Sequence, residues 1–336
     1  MSARAERRNP LAVGRLLRER PLVRIIGARV AGLLLTLVVV SFLVFAMLYA
    51  APGDTASFLV GDQSVSPEFL ETIRAQYGLD DPFLQRYVDW LGNVIRLDFG
   101  KSVLFREDVT SLLEPRIANS FFLVIYSSLL ILGGGLALGV VSGLKRGRTD
   151  RAVMMATTAA QATPSFVAAI LLISVFAVGL GWFPVSGAGD GLGGRISHLT
   201  LPAIAMALAT TAIVTRITRT AVREELRSEH VETARSRGIP ERLVIRRHVI
   251  RNGLIPIVTV AGLVVASQIS AAVVVETAFG IDGLGSYLVR AVQQRDFAVV
   301  QAISLILVTV FVVANLVVDI LYTVLDPRIR VGKASS

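Results

Sequence analysis

The chain has no cysteine, which excludes disulfides, thiolate metal centres and a cysteine nucleophile. It has three histidines (His198, His230 and His248), set far apart in sequence, so no ligand-spaced metal motif can be written. There is no G-x-x-x-x-G-K-[ST] run, no H-E-x-x-H and no G-x-S-x-G, which removes nucleotide binding by a P-loop, zinc-protease chemistry and the nucleophile elbow. Gly189, Gly191 and Gly194 fit G-x-G-x-x-G, but no strand precedes them; this glycine-rich stretch reads as a flexible loop. Charge is scarce too. Only 18% of the 336 residues are Asp, Glu, Lys or Arg, against 53% hydrophobic, with a mean hydropathy of +0.65. A soluble fold of this length cannot hide so much apolar surface, so an all-α polytopic membrane protein is expected.

The net charge of +9 does not point to nucleic acid, because the cations fall in short clusters beside apolar runs. Six such runs, at 24–50, 117–143, 153–181, 200–222, 253–277 and 299–325, are long enough to cross a hydrocarbon core of about 30 Å. The first is too long for a signal-peptide core and lacks a cleavage site in context, so it is expected to be retained as a helix. Six crossings put residues 1–23 and the tail 326–336 on one side. Of the 34 Lys and Arg residues, 25 lie on that side, which makes it the cytoplasm.

The longest polar segment, 51–116, then lies outside as a cap with eleven acidic and six basic residues. Ser66-Pro67 and Gly78 suit the two ends of one helix. Asp81-Pro82 opens a second, along which Phe83, Tyr87, Trp90, Leu91 and Val94 recur at helical spacing. Such amphipathic helices would lie on the membrane surface or pack as an extracellular cap.

Within the core, 117–325, Gly135, Gly139 and Gly143 form a small-x-x-x-small row on the second span, as do Gly262, Ala266 and Ser270 on the fifth. Pro164 and Pro256 mark bends. Two acids fall in or near spans. Glu276 lies at the outer end of the fifth and Asp319 within the sixth, where 18 Val, Ile, Leu or Phe residues between 299 and 325 offset it. Their insertion gains about 5–11 kcal/mol against about 3 lost to the Asp. Both are structural or pathway candidates rather than a proton relay, which needs more such groups.

The loop 223–252 is the one long charged run between apolar segments; Arg216–Arg251 holds ten Arg and five Glu. Ser228 can cap a helix whose start carries Glu229 and Glu232, Gly238 can end it, and Pro240 can begin the next. Glu232-Thr233-Ala234 followed by Gly238 resembles the EAA loop of ATP-binding-cassette importer permeases. His248 and Ile250-Arg251 depart from the general motif, which continues with Ile and Leu-Pro, and fit the dipeptide, oligopeptide and nickel branch, first-subunit type. Ala51-Pro52-Gly53-Asp54, Asp98-Phe99-Gly100-Lys101-Ser102, Gly181-Trp182-Phe183-Pro184 and Leu325-Asp326-Pro327-Arg328 are similar to that branch in order and spacing. Asp282 stands where the branch usually has Pro.

The resemblance implies a type I importer permease fold in a bacterial plasma membrane. It also implies a transport subunit without catalytic or cofactor residues of its own. Its partners would be a second permease subunit, two ATPase subunits that bind ATP and magnesium, and an extracellular solute-binding protein. Glu232, Thr233, Ala234, Arg235, Arg237 and Gly238 would couple it to the ATPases, with Ala234 allowing close seating. Peptides are the default cargo of the branch; nickel, sugars or siderophores are alternatives. A self-sufficient secondary transporter or channel is the competing class.

Overall fold

The computed structural model describes residues 21–49, 81–102, 104–253 and 255–325, all of it helices and turns apart from one isolated β-bridge between Lys101 and Asp108. The helices are α1 Pro21–Tyr49, α2 Phe83–Ile95, α3 Val109–Leu144, α4 Arg148–Ala162 and α5 Ser165–Leu172, the last continued by a wide π turn over Ile173–Gly179. Then follow α6 Gly191–Glu225, α7 Glu229–Ser236 and α8 Glu241–Val244, which runs through a second π turn, Ile245–Ile250. The last three are α9 Ile255–Ala278, α10 Leu284–Gln293 and α11 Phe297–Leu325. The expected helix around Ser66, Pro67 and Gly78 lies outside the described residues.

Among the described residues, α1, α3, α6 and α11 are long and apolar enough to cross a bilayer; α9 contributes a shorter apolar stretch, Leu263–Ala278. The run 153–181, expected to cross with a bend at Pro164, is two helices, α4 and α5, that bend by 102° at that proline. The cause is local. Thr163 precedes Pro164, proline disfavours helical backbone in the residue before it, and Thr163 is extended with φ −89° and ψ 115°. The polar segment 51–116 also ends earlier than expected, because α3 begins at Val109 and carries Pro115 near its start.

The central contact is between α3 and α6, which run parallel. Gly135 lies against Val214, Gly139 against Thr218 and Gly143 against Val222, so the contact keeps one register over two turns. A Cβ on Gly135 would sit 2.6 Å from Val214 Cβ, one on Gly139 2.8 Å from the Thr215 carbonyl oxygen, and one on Gly143 2.7 Å from Val222 Cγ1. Hydrogen at these three positions is what lets the backbones approach; in lipid, such close packing is a main source of helix association. The glycine row expected on the second span is therefore a contact inside the chain. The row on the fifth is not continuous: Ala266 is buried but Ser270 is exposed, and the surroundings of Gly262 lie outside the described side chains.

Around this pair, Leu123, Leu199, Met206, Phe279 and Ile281 form the main core, joining α3, α6 and the end of α9. A second cluster, with Val109, Leu113, Tyr287 and Ile303, fixes α10 and the start of α11 on the start of α3. The stretch expected to be a flexible loop at Gly189–Gly194 is instead a tight entry into α6: Gly189 has φ +70°, Gly191 starts the helix, and the His198 ring meets the Gly194 carbonyl at 2.9 Å.

Gly139→Leu should cost about 1–3 kcal/mol or more by overpacking. Gly92→Ala, on a helix with nothing within 4 Å of the new carbon, should be neutral or mildly stabilising. Thermal unfolding of the two variants in detergent separates these outcomes.

Candidate functional site

The site expected in the charged loop is built at the end of the bundle where α3 and α6 finish. α6 stops at Glu225, and a short turn through Ser228 leads into α7. Ser228 does not cap α7 with its side chain as expected; its hydroxyl donates back to the Glu225 carbonyl at 2.6 Å. Glu229 and Glu232 in the first turn and Arg235 in the last agree with the helix dipole.

Val231 and Ala234, three apart, point inward and form a cluster with Val222, Val244 and Val249. Ala234 is only 5% exposed. The close seating expected of Ala234 is thus made on the chain's own helices, not on an outside partner. Glu232, Thr233, Arg235, Arg237 and Gly238 are all exposed and form one outward surface.

The end of α7 follows from Gly238. Its φ is +73°, in the left-handed region where a side chain is strained. Its N–H donates to the Arg235 carbonyl at 2.9 Å, and the Ile239 N–H reaches the Ala234 carbonyl at 3.2 Å. These two bonds form a Schellman motif, with Ile239 packed against the Ala234 cluster as its apolar contact. Pro240 occupies the position before α8 rather than its first turn. Arg235 then bridges the turn, donating to both oxygens of Glu241 at 3.0 and 2.6 Å. The bonded guanidinium holds the Glu241 carboxyl below its ordinary value. Arg235 therefore braces the turn.

An ionic hub lies where α3, α4 and α6 meet. Asp150, at the start of α4, accepts from Arg219 Nε at 2.6 Å, from Arg223 at 2.8 Å and from the Ser142 hydroxyl at 2.5 Å. It ties α3, α4 and α6 together directly beside the α7 platform. The available signal was that Asp150 is the sole acid among the cations of 144–152. The distant histidines also meet in part: the rings of His230 and His248 are 6.3 Å apart, and Asn252 contacts His230 at 3.1 Å. Among the described residues no group of three or more His, Cys, Asp or Glu could hold a metal.

Glu276 sits at the opposite end and is fully buried (0% exposed). Its carboxyl accepts from the Ser120 hydroxyl at 2.6 Å and from the N–H groups of Gly285 and Ser286, in the first turn of α10, at 2.8 and 3.1 Å. Ser120 in turn accepts the Leu284 N–H at 2.8 Å. A side chain at Gly283 would place its Cβ 2.6 Å from Glu276 Oε1. Glu276 is therefore an internal strut joining α3, α9 and α10. Asp282, the departure from the family's usual Pro, pairs with Arg116 at 3.0 Å and also with Arg290. Asp319 falls within α11, and its side chain lies outside those described.

The described residues thus build a bundle of membrane-length helices with a short exposed helix at one end, the architecture of a membrane-embedded chain. The chain belongs to the binding-protein-dependent transport system inner membrane component family, whose pattern matches residues 135–331; the N-terminal pattern of the same transport systems matches 22–105. It is 35% identical over 303 residues to the glutathione transport system permease protein GsiC of Escherichia coli K12, covering 90% of this chain and 97% of that one. A Brucella abortus chain named for a peptide transport system permease is 36% identical over 306 residues, with 90% and 97% covered. A solved structure of an amino acid ABC transporter with histidines shares the fold, with a TM-score of 0.51 at 16% identity over 63% of this chain and 94% of that one.

Glu276→Leu should leave three buried donors without an acceptor and lower stability by about 3 kcal/mol or more. Glu276→Gln, which keeps the volume and one acceptor, should lose clearly less. Thermal unfolding in detergent reads both; equal losses would show that packing, not the hydrogen bonds, fixes the corner.

Proposed function

We propose that this chain is the first of two permease subunits of an ATP-driven importer in a bacterial inner membrane, and that its cargo is short peptides. Membership of the binding-protein-dependent family supports an importer, and the names of the relatives, glutathione and peptide transport permeases, support peptides. The chain crosses the membrane six times, with both termini and the loop 223–252 in the cytoplasm and the 51–116 segment outside. It forms half of the translocation pathway and works with a second permease, two ATPase subunits and a binding protein that delivers the cargo.

One observation carries the coupling role. α7 stands on its own valine cluster, so the exposed Glu232, Thr233, Arg237 and Gly238 are held as a rigid knob on the ends of α3 and α6. Force applied to that knob passes into α6 through Val222 and into α3 through Gly143. The transmembrane helices then pivot between inward- and outward-facing states.

Glu232→Ala combined with Thr233→Trp alters only exposed atoms. The doubly substituted permease should insert and assemble, yet lose binding-protein-stimulated ATP hydrolysis in proteoliposomes. Ala234→Leu should behave differently, as a folding defect, because Ala234 is interior. Unchanged stimulation in the double variant would refute the coupling role. Uphill transport by this chain purified alone would refute the importer-subunit reading. Identification of the ligand held by the binding protein encoded beside this chain tests the cargo: a metal, sugar or siderophore would overturn peptides.

A further inference from the structure

α2 has two apolar faces, and among the described residues only one of them packs on the rest of the chain. Phe83, Tyr87 and Trp90 pack against Phe42 and Phe45 of α1, with ring centroids 5.3–5.6 Å apart. The Tyr87 hydroxyl meets the Ser41 hydroxyl at 2.8 Å. About 100° further round the helix, Leu84, Val88 and Ile95 are 65, 63 and 75% exposed. They recur at spacings of four and seven, which keeps them in one stripe. The remaining face, with Gln85, Asp89 and Asn93, is polar and exposed.

The depth at which α2 docks bears on what covers this stripe. Ser41 lies eight residues before the end of α1, about 12 Å along its axis, and inside the apolar stretch Gly27–Ala46. Tyr87 therefore meets α1 below the water boundary. The two hydroxyls that pair there are buried together, as a bilayer requires of polar groups at that level. On α1 itself Leu35 and Leu43 are exposed, and in a membrane-spanning helix such side chains face lipid or another membrane chain. A three-sided helix of this kind fits the interface: one side on protein, one in the acyl region, one in water.

We infer that α2 is an interfacial helix, and that Leu84, Val88 and Ile95 are seated in the outer acyl-chain boundary of the bilayer. This rests on the membrane-embedded reading of α1 and on the 51–116 segment lying outside. It makes the part of the cap nearest α1 a membrane float that fixes the height of that end of α1. Only the Gln85–Asp89–Asn93 face of α2 is then left for contact with a delivering protein.

The absence of cysteine allows a direct test. Single cysteines at Leu84, Val88, Ile95, Gln85 and Asp89, with Leu35→Cys as the reference on α1, would carry a nitroxide. The full-length chain, purified with its accompanying subunits, would be returned to phosphatidylethanolamine–phosphatidylglycerol liposomes. Collision with oxygen, which concentrates in lipid, would be compared with collision with a water-soluble nickel chelate. The expected oxygen-to-nickel ratio at Leu84, Val88 and Ile95 is several-fold above that at Gln85 and Asp89, and close to that at Leu35. Equal ratios on both faces would overturn the inference in favour of a water-exposed cap. Exclusion of both reagents from the stripe alone would overturn it in favour of a protein partner. A water-like ratio at Leu35 itself would instead sink the membrane reading of α1.

Discussion

Two helices can lie backbone to backbone only where side chains are missing, and α3 and α6 meet over Gly135, Gly139 and Gly143. Lipid supplies no hydrophobic reason for two apolar helices to associate, so this dense contact takes the place that burial from water has in a soluble core. Everything at the α7 end of the molecule is referred to it. Val222, opposite Gly143, is also the base of the cluster that holds Val231 and Ala234. Asp150 closes the same end, drawing Arg219 and Arg223 of α6 and Ser142 of α3 onto one carboxylate.

The two ends of the bundle are built on different physics. At the α7 end, small apolar residues make a dry platform and the charges sit outside it or in the Asp150 hub. At the α10 end, a buried carboxylate organises a turn by accepting main-chain N–H groups that a helix start leaves unpaired. That arrangement needs glycine at 283, because a side chain there would occupy the space of the carboxyl. It accounts for the full burial of Glu276, the structural or pathway candidate of the fifth span. It also explains how Asp282 can replace proline: the turn is held by Glu276 and Ser286, which leaves Asp282 free to pair with Arg116 and Arg290.

The α7 surface is joined to the membrane helices by packed side chains, which is what the proposed coupling role would require. The knob does not rest on flexible chain. The Schellman turn at Gly238 and the Arg235–Glu241 bridge fix its exit, and the buried valines fix its underside. The chain belongs to a binding-protein-dependent transport family and carries no P-loop nucleotide motif of its own.

Composition and periodicity were enough to read a helical membrane chain, the glycine row on the second span, the α2 face at Phe83, Tyr87 and Trp90, and the helix–glycine–proline order around Gly238. These features are local: each depends on residues within a few turns, or on how apolar a run is. What sequence could not decide was the partner of each group. Gly139 reads as a contact residue but does not say that Thr218 lies opposite; Ala234 reads as small but does not say which surface it meets. Asp150 and Glu276 acquire their meaning from residues tens to more than a hundred positions away. Only the packed helices bring those together, because main-chain donors and charges in lipid must find partners wherever the fold places them.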